Sequence, residues 1–192
     1  GDKIVMLAHQ AAKKAMLEVC PNLKIGITLT VHDVQSAAGG EKLAEKEWED
    51  EFLHYLPYIK EDEFLGVQCY TRKRFNSEGS MKPEEGVALT QMGYEEYPEA
   101  VVNAVRKVAF LFPNDIIVTE NGIATDDDQK RRMFIKKAAD GLMDCIADGI
   151  PVKGYMYWSL FDNYEWQKGY SMKFGLVGVD RTTQKRIPKK SL

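Results

Sequence analysis

What most restricts the fold of this chain is a regular alternation of helical and strand-like patterns along its length. Ile4, Leu7, Ala8, Ala11, Ala12, Ala15 and Val19 recur at helical spacing from about Lys3 to Cys20, and Pro21-Asn22 closes that element. Lys24 to Val31 is rich in β-branched residues and reads as a strand. A helix is expected from about Leu43 to Ile59, with Leu43, Trp48, Phe52, Tyr55 and Leu56 on one face, and a buried strand over Phe64 to Tyr70. The pattern then repeats with a helix near Tyr97 to Phe112, a strand at Ile116 to Thr119, a helix over Arg131 to Ala147 announced by Asp126-Asp127-Asp128, and a strand at Val152 to Ser159. Phe174 to Asp180 suits a short extra strand, whereas Thr71 to Glu96 is a long polar stretch without readable periodicity. Strands joined through helices run parallel, so the order α-β-α-β-α-β-α-β predicts an α/β fold with a helix-covered parallel sheet.

Composition supports one packed domain over residues 1–192, because 44% of the chain is hydrophobic and 29% charged. A formal net charge of -3 without a long basic run argues against nucleic acid as a partner, and acidic small molecules are not favoured. The longest apolar stretches, Ala100 to Val105 and Val108 to Phe112, fall short of the roughly 18 residues that a membrane span needs, so no membrane partner is expected. The stretch from Gly1 to Ala8 has no basic region, long apolar core or cleavage site, which reads as a cytoplasmic protein. Cys20, Cys69 and Cys145 show no CxxC spacing, and His9, His32 and His54 form no cluster, so neither a metal nor a disulfide scaffold is expected.

In α/β architectures ligands gather beyond the carboxyl ends of the strands. Three predicted strand ends carry chemistry: Tyr70-Thr71-Arg72, Thr119-Glu120-Asn121-Gly122 and Trp158-Ser159. A carboxylate directly after Ile116-Ile117-Val118-Thr119 stands at the mouth of an apolar sheet, which makes Glu120 the first candidate for catalysis. The plainer reading is a loop-entry carboxylate beside an Asn-Gly turn. Trp158, Glu165, Trp166 and Phe174 favour the catalytic one, since sugar rings stack on aromatic faces while carboxylates accept from their hydroxyls. Tyr155, Met156 and Tyr157 fit an aromatic core better.

These residues resemble a known family. Val118-Thr119-Glu120-Asn121-Gly122 resembles the nucleophile motif of the family 1 glycoside hydrolases, the β-glucosidase family built on a (β/α)8 barrel. Gly154 to Trp166, followed by Gly169-Tyr170-Ser171 and Phe174-Gly175-Leu176-Val177, is similar to that family's last barrel strand and sugar-binding loop. Phe64 to Arg72 resembles its sixth strand. The resemblance covers essentially the whole chain. It implies a retaining β-glycosidase in which Glu120 is the nucleophile and Tyr70 orients it. Trp158 would floor the sugar, Glu165 would accept from O4 and O6, Trp166 would donate near O3, and Phe174 would wall the site. Asn121 and Ser159 are expected to be scaffold.

Two departures bear on the substrate. Gln68 and Cys69 stand where the family usually has Asn and often a second aromatic, so Gln68 is expected to bind substrate through an amide on a longer arm, on the leaving-group side. Glu165 stands where relatives acting on 6-phosphorylated sugars lack an acid, and a carboxylate facing O6 repels phosphate, so an unphosphorylated β-D-glucoside is expected. β-Galactosides and β-fucosides would use much the same residues. The family's Asn-Glu-Pro motif, which holds the acid/base, is absent. The resemblance therefore implies strands five to eight only, the carboxyl-terminal half of the barrel, paired with an amino-terminal half-chain or a second copy. No cofactor is implied. A half-barrel that keeps the sugar-binding residues without turnover is the competing expectation, and turnover separates the two.

Overall fold

The computed structural model describes residues 1–192. It contains α1 (Asp2–Val19), β1 (Gly26–Thr30), β2 (Asp33–Ser36), α2 (Glu41–Glu51), a tight turn over Leu53–Tyr55 and α3 (Leu56–Ile59). There follow β3 (Phe64–Gln68), β4 (Arg72–Asn76), β5 (Gly79–Ser80), α4 (Ala100–Ala109) and β6 (Asp115–Asn121). The last elements are α5 (Asp128–Ala147), β7 (Val152–Tyr157), β8 (Val177–Val179) and β9 (Arg186–Pro188). The main sheet has the order β1-β3-β6-β7, and all three pairings are parallel, as the alternation of helix and strand predicts.

One face of this sheet meets the helices. Leu65, Val67, Ile116 and Val118 from the strands pack with Val101, Ala104, Val105 and Val108 of α4 and with Ala138, Leu142 and Cys145 of α5. Strand side chains alternate, so the intervening residues point the other way. Thr28 bonds Thr119 there at 2.8 Å and Thr30 donates to Gln68 at 2.6 Å, giving that face a polar character. β1 and β7 are the two edges, and no helix is long and apolar enough to cross a membrane.

The Thr28–Thr119 contact crosses over β3 and depends on Gly66 lying between them. A Cβ there would stand 1.9 Å from Thr28 Oγ1 and 3.0 Å from Thr119 Cγ2. Gly66→Val should cost about 1–3 kcal/mol through overpacking. A urea unfolding curve whose midpoint matched the parent's would show that the two threonines part without cost.

Three expectations change. The helix expected over Leu43 to Ile59 ends at Glu51, because Phe52 leaves the helical region to enter the core and Pro57, which lacks an N–H, starts a new helix. The polar stretch from Thr71 to Glu96 contains β4 and β5, which join β2 in a separate three-stranded sheet. Its outward residues are held by ion pairs from Arg72 to Glu95 and from Lys73 to Glu51, and such pairing has no hydrophobic period to betray it. Val177–Val179, within the expected extra strand, pairs with β9 as a hairpin apart from the main sheet.

Candidate active site

The site lies beyond the carboxyl ends of β3, β6 and β7. Glu120 falls inside β6 rather than after it, and a bulge aims it. Val67 pairs with Val118 and Gln68 with Glu120, so Thr119 is an extra residue on β6. In a regular strand Thr119 and Glu120 would point to opposite faces; the inserted residue lets both use the polar one. Thr119 reaches Thr28 across that face, while Glu120 Oε2 accepts from the Tyr70 hydroxyl at 2.7 Å.

Tyr70 stands just past the end of β3, its ring edge-on to Phe174 with centroids 6.0 Å apart. Burial, the hydrogen bond to Glu120 and the charges of Glu120 and Glu165 together push its hydroxyl well above the ordinary tyrosine range. It therefore stays protonated and keeps donating. Tyr94 is raised too, first by burial and then by the charge of Glu165. The Glu165 carboxylate thus faces the same space as both tyrosines.

That space is a cleft of about 240 Å³ lined by Tyr70, Met92, Tyr94, Glu120, Trp158, Glu165, Trp166 and Phe174. Trp166 is 88% exposed, so it stands at the rim, whereas Phe174 is buried at the back. Trp158 is brought in by its neighbours: its N–H donates to Asn121 O at 2.8 Å, and a Cβ on Gly122 would sit 2.1 Å from its carbonyl oxygen. Only glycine permits this approach. The Trp158–Ser159 peptide bond is cis.

The residues behind the cleft are fully partnered. Asn121 is buried, donates to Cys69 O at 2.7 Å and accepts from Tyr155 OH at 2.9 Å, tying β6 to its neighbours on both sides. Asp162, also buried, accepts from Gly175 N at 2.8 Å and from Lys189 Nζ at 3.1 Å, which fixes the loop carrying Glu165 and Trp166. Ser159 Oγ donates to Phe161 O at 2.8 Å.

The structure thus brings together Glu120, Tyr70, Trp158, Glu165, Trp166 and Phe174. It does not bring Gln68 to the cleft: that side chain lies one turn of the pleat below Tyr70 and accepts from Thr30. Sequence reasoning missed Met92 and Tyr94. They sit in a tight turn where Thr90 N bonds Tyr94 O at 2.8 Å and Gly93 has a φ of 81°, and the Met-Gly-Tyr string was the available signal. A wider groove of about 530 Å³ between α1 and α3, lined by Lys13, Pro57 and Tyr58 among others, lies toward the opposite end of the sheet. It gathers no acid/base pair on a strand end. No group of His, Cys, Asp and Glu is arranged to hold a metal.

Residues 53–192 match the family model described as glycosyl hydrolase family 1. The chain is 38% identical over 144 residues to Beta-glucosidase A of Thermotoga maritima, covering 67% of this chain and 32% of that protein. It is 41% identical over 161 residues to a 1,4-beta-D-glucan glucohydrolase of Thermotoga neapolitana, covering 71% of this chain and 36% of that one. Among solved structures, the crystal structure of beta-glycosidase BGL167 superposes with a TM-score of 0.95 at 42% identity, over 100% of this chain and 46% of that one. The chain therefore spans about half the length of that structure and about a third of the two curated relatives. Its four parallel strands and crossover helices form half of a (β/α)8 barrel.

Proposed function

This chain belongs to glycosyl hydrolase family 1, and from that membership we propose that it is the nucleophile-bearing half of a retaining β-glycosidase acting on unphosphorylated β-D-glucosides. One observation carries the reading: Glu120 accepts from Tyr70 at 2.7 Å in a cleft that also holds Trp158, Phe174 and the Glu165 carboxylate.

In the first step Glu120 attacks the anomeric carbon as the bond to the leaving oxygen breaks, and the leaving oxygen takes a proton from a second carboxylic acid. In the second, that group takes a proton from water, whose oxygen displaces Glu120 and restores it. A retaining pair stands about 5 Å apart. Glu165 is assigned to the sugar hydroxyls, so the acid/base is assigned to the amino-terminal half of the barrel, on a companion chain or within a longer protein; a second copy of this chain would bring another Glu120 but no acid/base. Trp158 supplies the apolar floor against which a sugar ring stacks. Glu165 accepts from O4 and O6, and its negative charge disfavours a phosphate at O6. Trp166 offers its indole N–H at the rim. No metal or organic cofactor enters this chemistry.

The test is an activated 2-deoxy-2-fluoro-β-glucoside, which forms the glycosyl ester but hydrolyses it slowly. Incubated with the assembled barrel, it should add one fluorosugar to this chain, and peptide mapping should find it on Glu120. An assembled barrel that takes up no sugar would mark the chain as a half-barrel with idle site residues.

A further inference from the structure

The cleft has walls from three separate loops, and one side chain touches all of them. Met92 and Tyr94 come from the turn before α4, the Glu120 side is continued by the segment Gly122–Asp126, and Phe174 comes from the long loop after β7. Gln91, next to Met92, donates its backbone N–H to Ala124 O at 2.9 Å. Its side-chain Oε1 accepts from Lys173 N at 2.9 Å, and its Nε2 donates to Asp126 Oδ2 at 2.6 Å. Lys173, next to Phe174, is held at both ends of its backbone: its carbonyl accepts from Thr125 N at 3.1 Å and from Arg131 Nη2 at 2.8 Å. Arg131 is fully buried, and the same Nη2 donates to Thr125 O. The loops of Phe174 and Glu120 therefore share a rigid anchor in Arg131. The turn carrying Met92 and Tyr94 joins that anchor through Gln91.

We propose that Gln91 is a positioning residue that clamps the Met92–Tyr94 wall of the cleft against the Phe174 wall, so that it sets affinity for the sugar rather than the rate of bond cleavage. The inference rests on the sugar-cleft reading of the proposed function. Gln91 touches neither Glu120 nor Tyr70, but its loss frees a wall that faces them. Both amide atoms matter. Oε1 is the acceptor for Lys173 and Nε2 the donor to Asp126, so no purely apolar residue of similar size replaces it.

Two measurements decide the matter. In the isolated chain, Gln91→Ala should speed amide hydrogen exchange at Lys173, and at Gly93 and Tyr94 in the turn, by about ten-fold or more, while Val67 and Val118 in the sheet stay protected. In a barrel assembled with the amino-terminal half, the same variant should raise KM for an aryl β-glucoside by about ten-fold and leave kcat within about two-fold. Gln91→Glu combined with Asp126→Asn reverses donor and acceptor between the two side chains while keeping an oxygen for Lys173. It should restore KM to within about three-fold of the parent, which a generic loss of stability would not allow. Unchanged exchange at Lys173, or a fall in kcat at constant KM, would overturn the proposal. If the parent barrel shows no turnover, the hydrolase reading fails on its own, and the dissociation constant for glucoimidazole decides the clamp by the same ten-fold criterion.

Discussion

In a barrel assembled from this chain and its amino-terminal half, Glu120→Gln is expected to lower hydrolysis of an aryl β-glucoside by roughly ten-thousand-fold or more. Gln matches Glu in shape but has no charge to attack the anomeric carbon, and its amide is a poor nucleophile. The hydrogen bond from the Tyr70 hydroxyl still finds an oxygen to accept it, so the cleft keeps its form. Sugar affinity should survive, read as an undiminished quench of tryptophan fluorescence on adding glucoimidazole, because Trp158 and Trp166 line the same cleft. The fluorosugar adduct should disappear from this chain entirely. A variant that retained a tenth of the parent rate, or still took up the fluorosugar at another residue, would remove Glu120 from the nucleophile's role.

The second large effect comes from the donor. Tyr70→Phe deletes one hydroxyl whose only hydrogen-bond partner is Glu120 Oε2, at 2.7 Å. The ring still packs edge-on against Phe174, so the loss is of the donor rather than of the wall. Without that donor nothing holds the Glu120 carboxylate in line, and a reacting group misplaced by about 1 Å costs about a hundred-fold in rate. The same is expected here, with KM little changed. Residues that act as one unit lose activity non-additively, so Tyr70→Phe added to Glu120→Gln should slow the reaction no further than Glu120→Gln alone. If the two losses multiplied, the hydroxyl would be serving something other than Glu120. Because burial, the hydrogen bond to Glu120 and neighbouring charge raise the Tyr70 hydroxyl above its ordinary range, the donor stays protonated at neutral pH.

Much of the site was legible because its residues stand at strand ends, which a parallel α/β alternation locates from local pattern alone. Glu120 follows an apolar run, and Trp158 through Trp166 form one continuous string, so their proximity needed only the sheet order. Gln68 ends β3 two residues before Tyr70 and lies lower on the polar face, where its side-chain carbonyl oxygen accepts from Thr30 of β1. Position along one short segment could not distinguish the two. Met92 and Tyr94 were hidden in a stretch with no period, because a turn built by Thr90, Gly93 and backbone bonds leaves no repeating pattern.

The alternation of the main helices and strands, the parallel sheet and the family were all readable from the sequence, since these follow from periodicity and contiguous motifs, which are local properties of the chain. The folded sheet alone puts Thr119 and Glu120 on one face, because that depends on a bulge in the register between β3 and β6. Folding likewise brings Gln91, Ala124, Asp126 and Lys173 together, residues separated by up to 82 positions in the chain. Register and loop contacts are set by which distant groups satisfy one another's hydrogen bonds as the sheet assembles, and no local pattern encodes that choice.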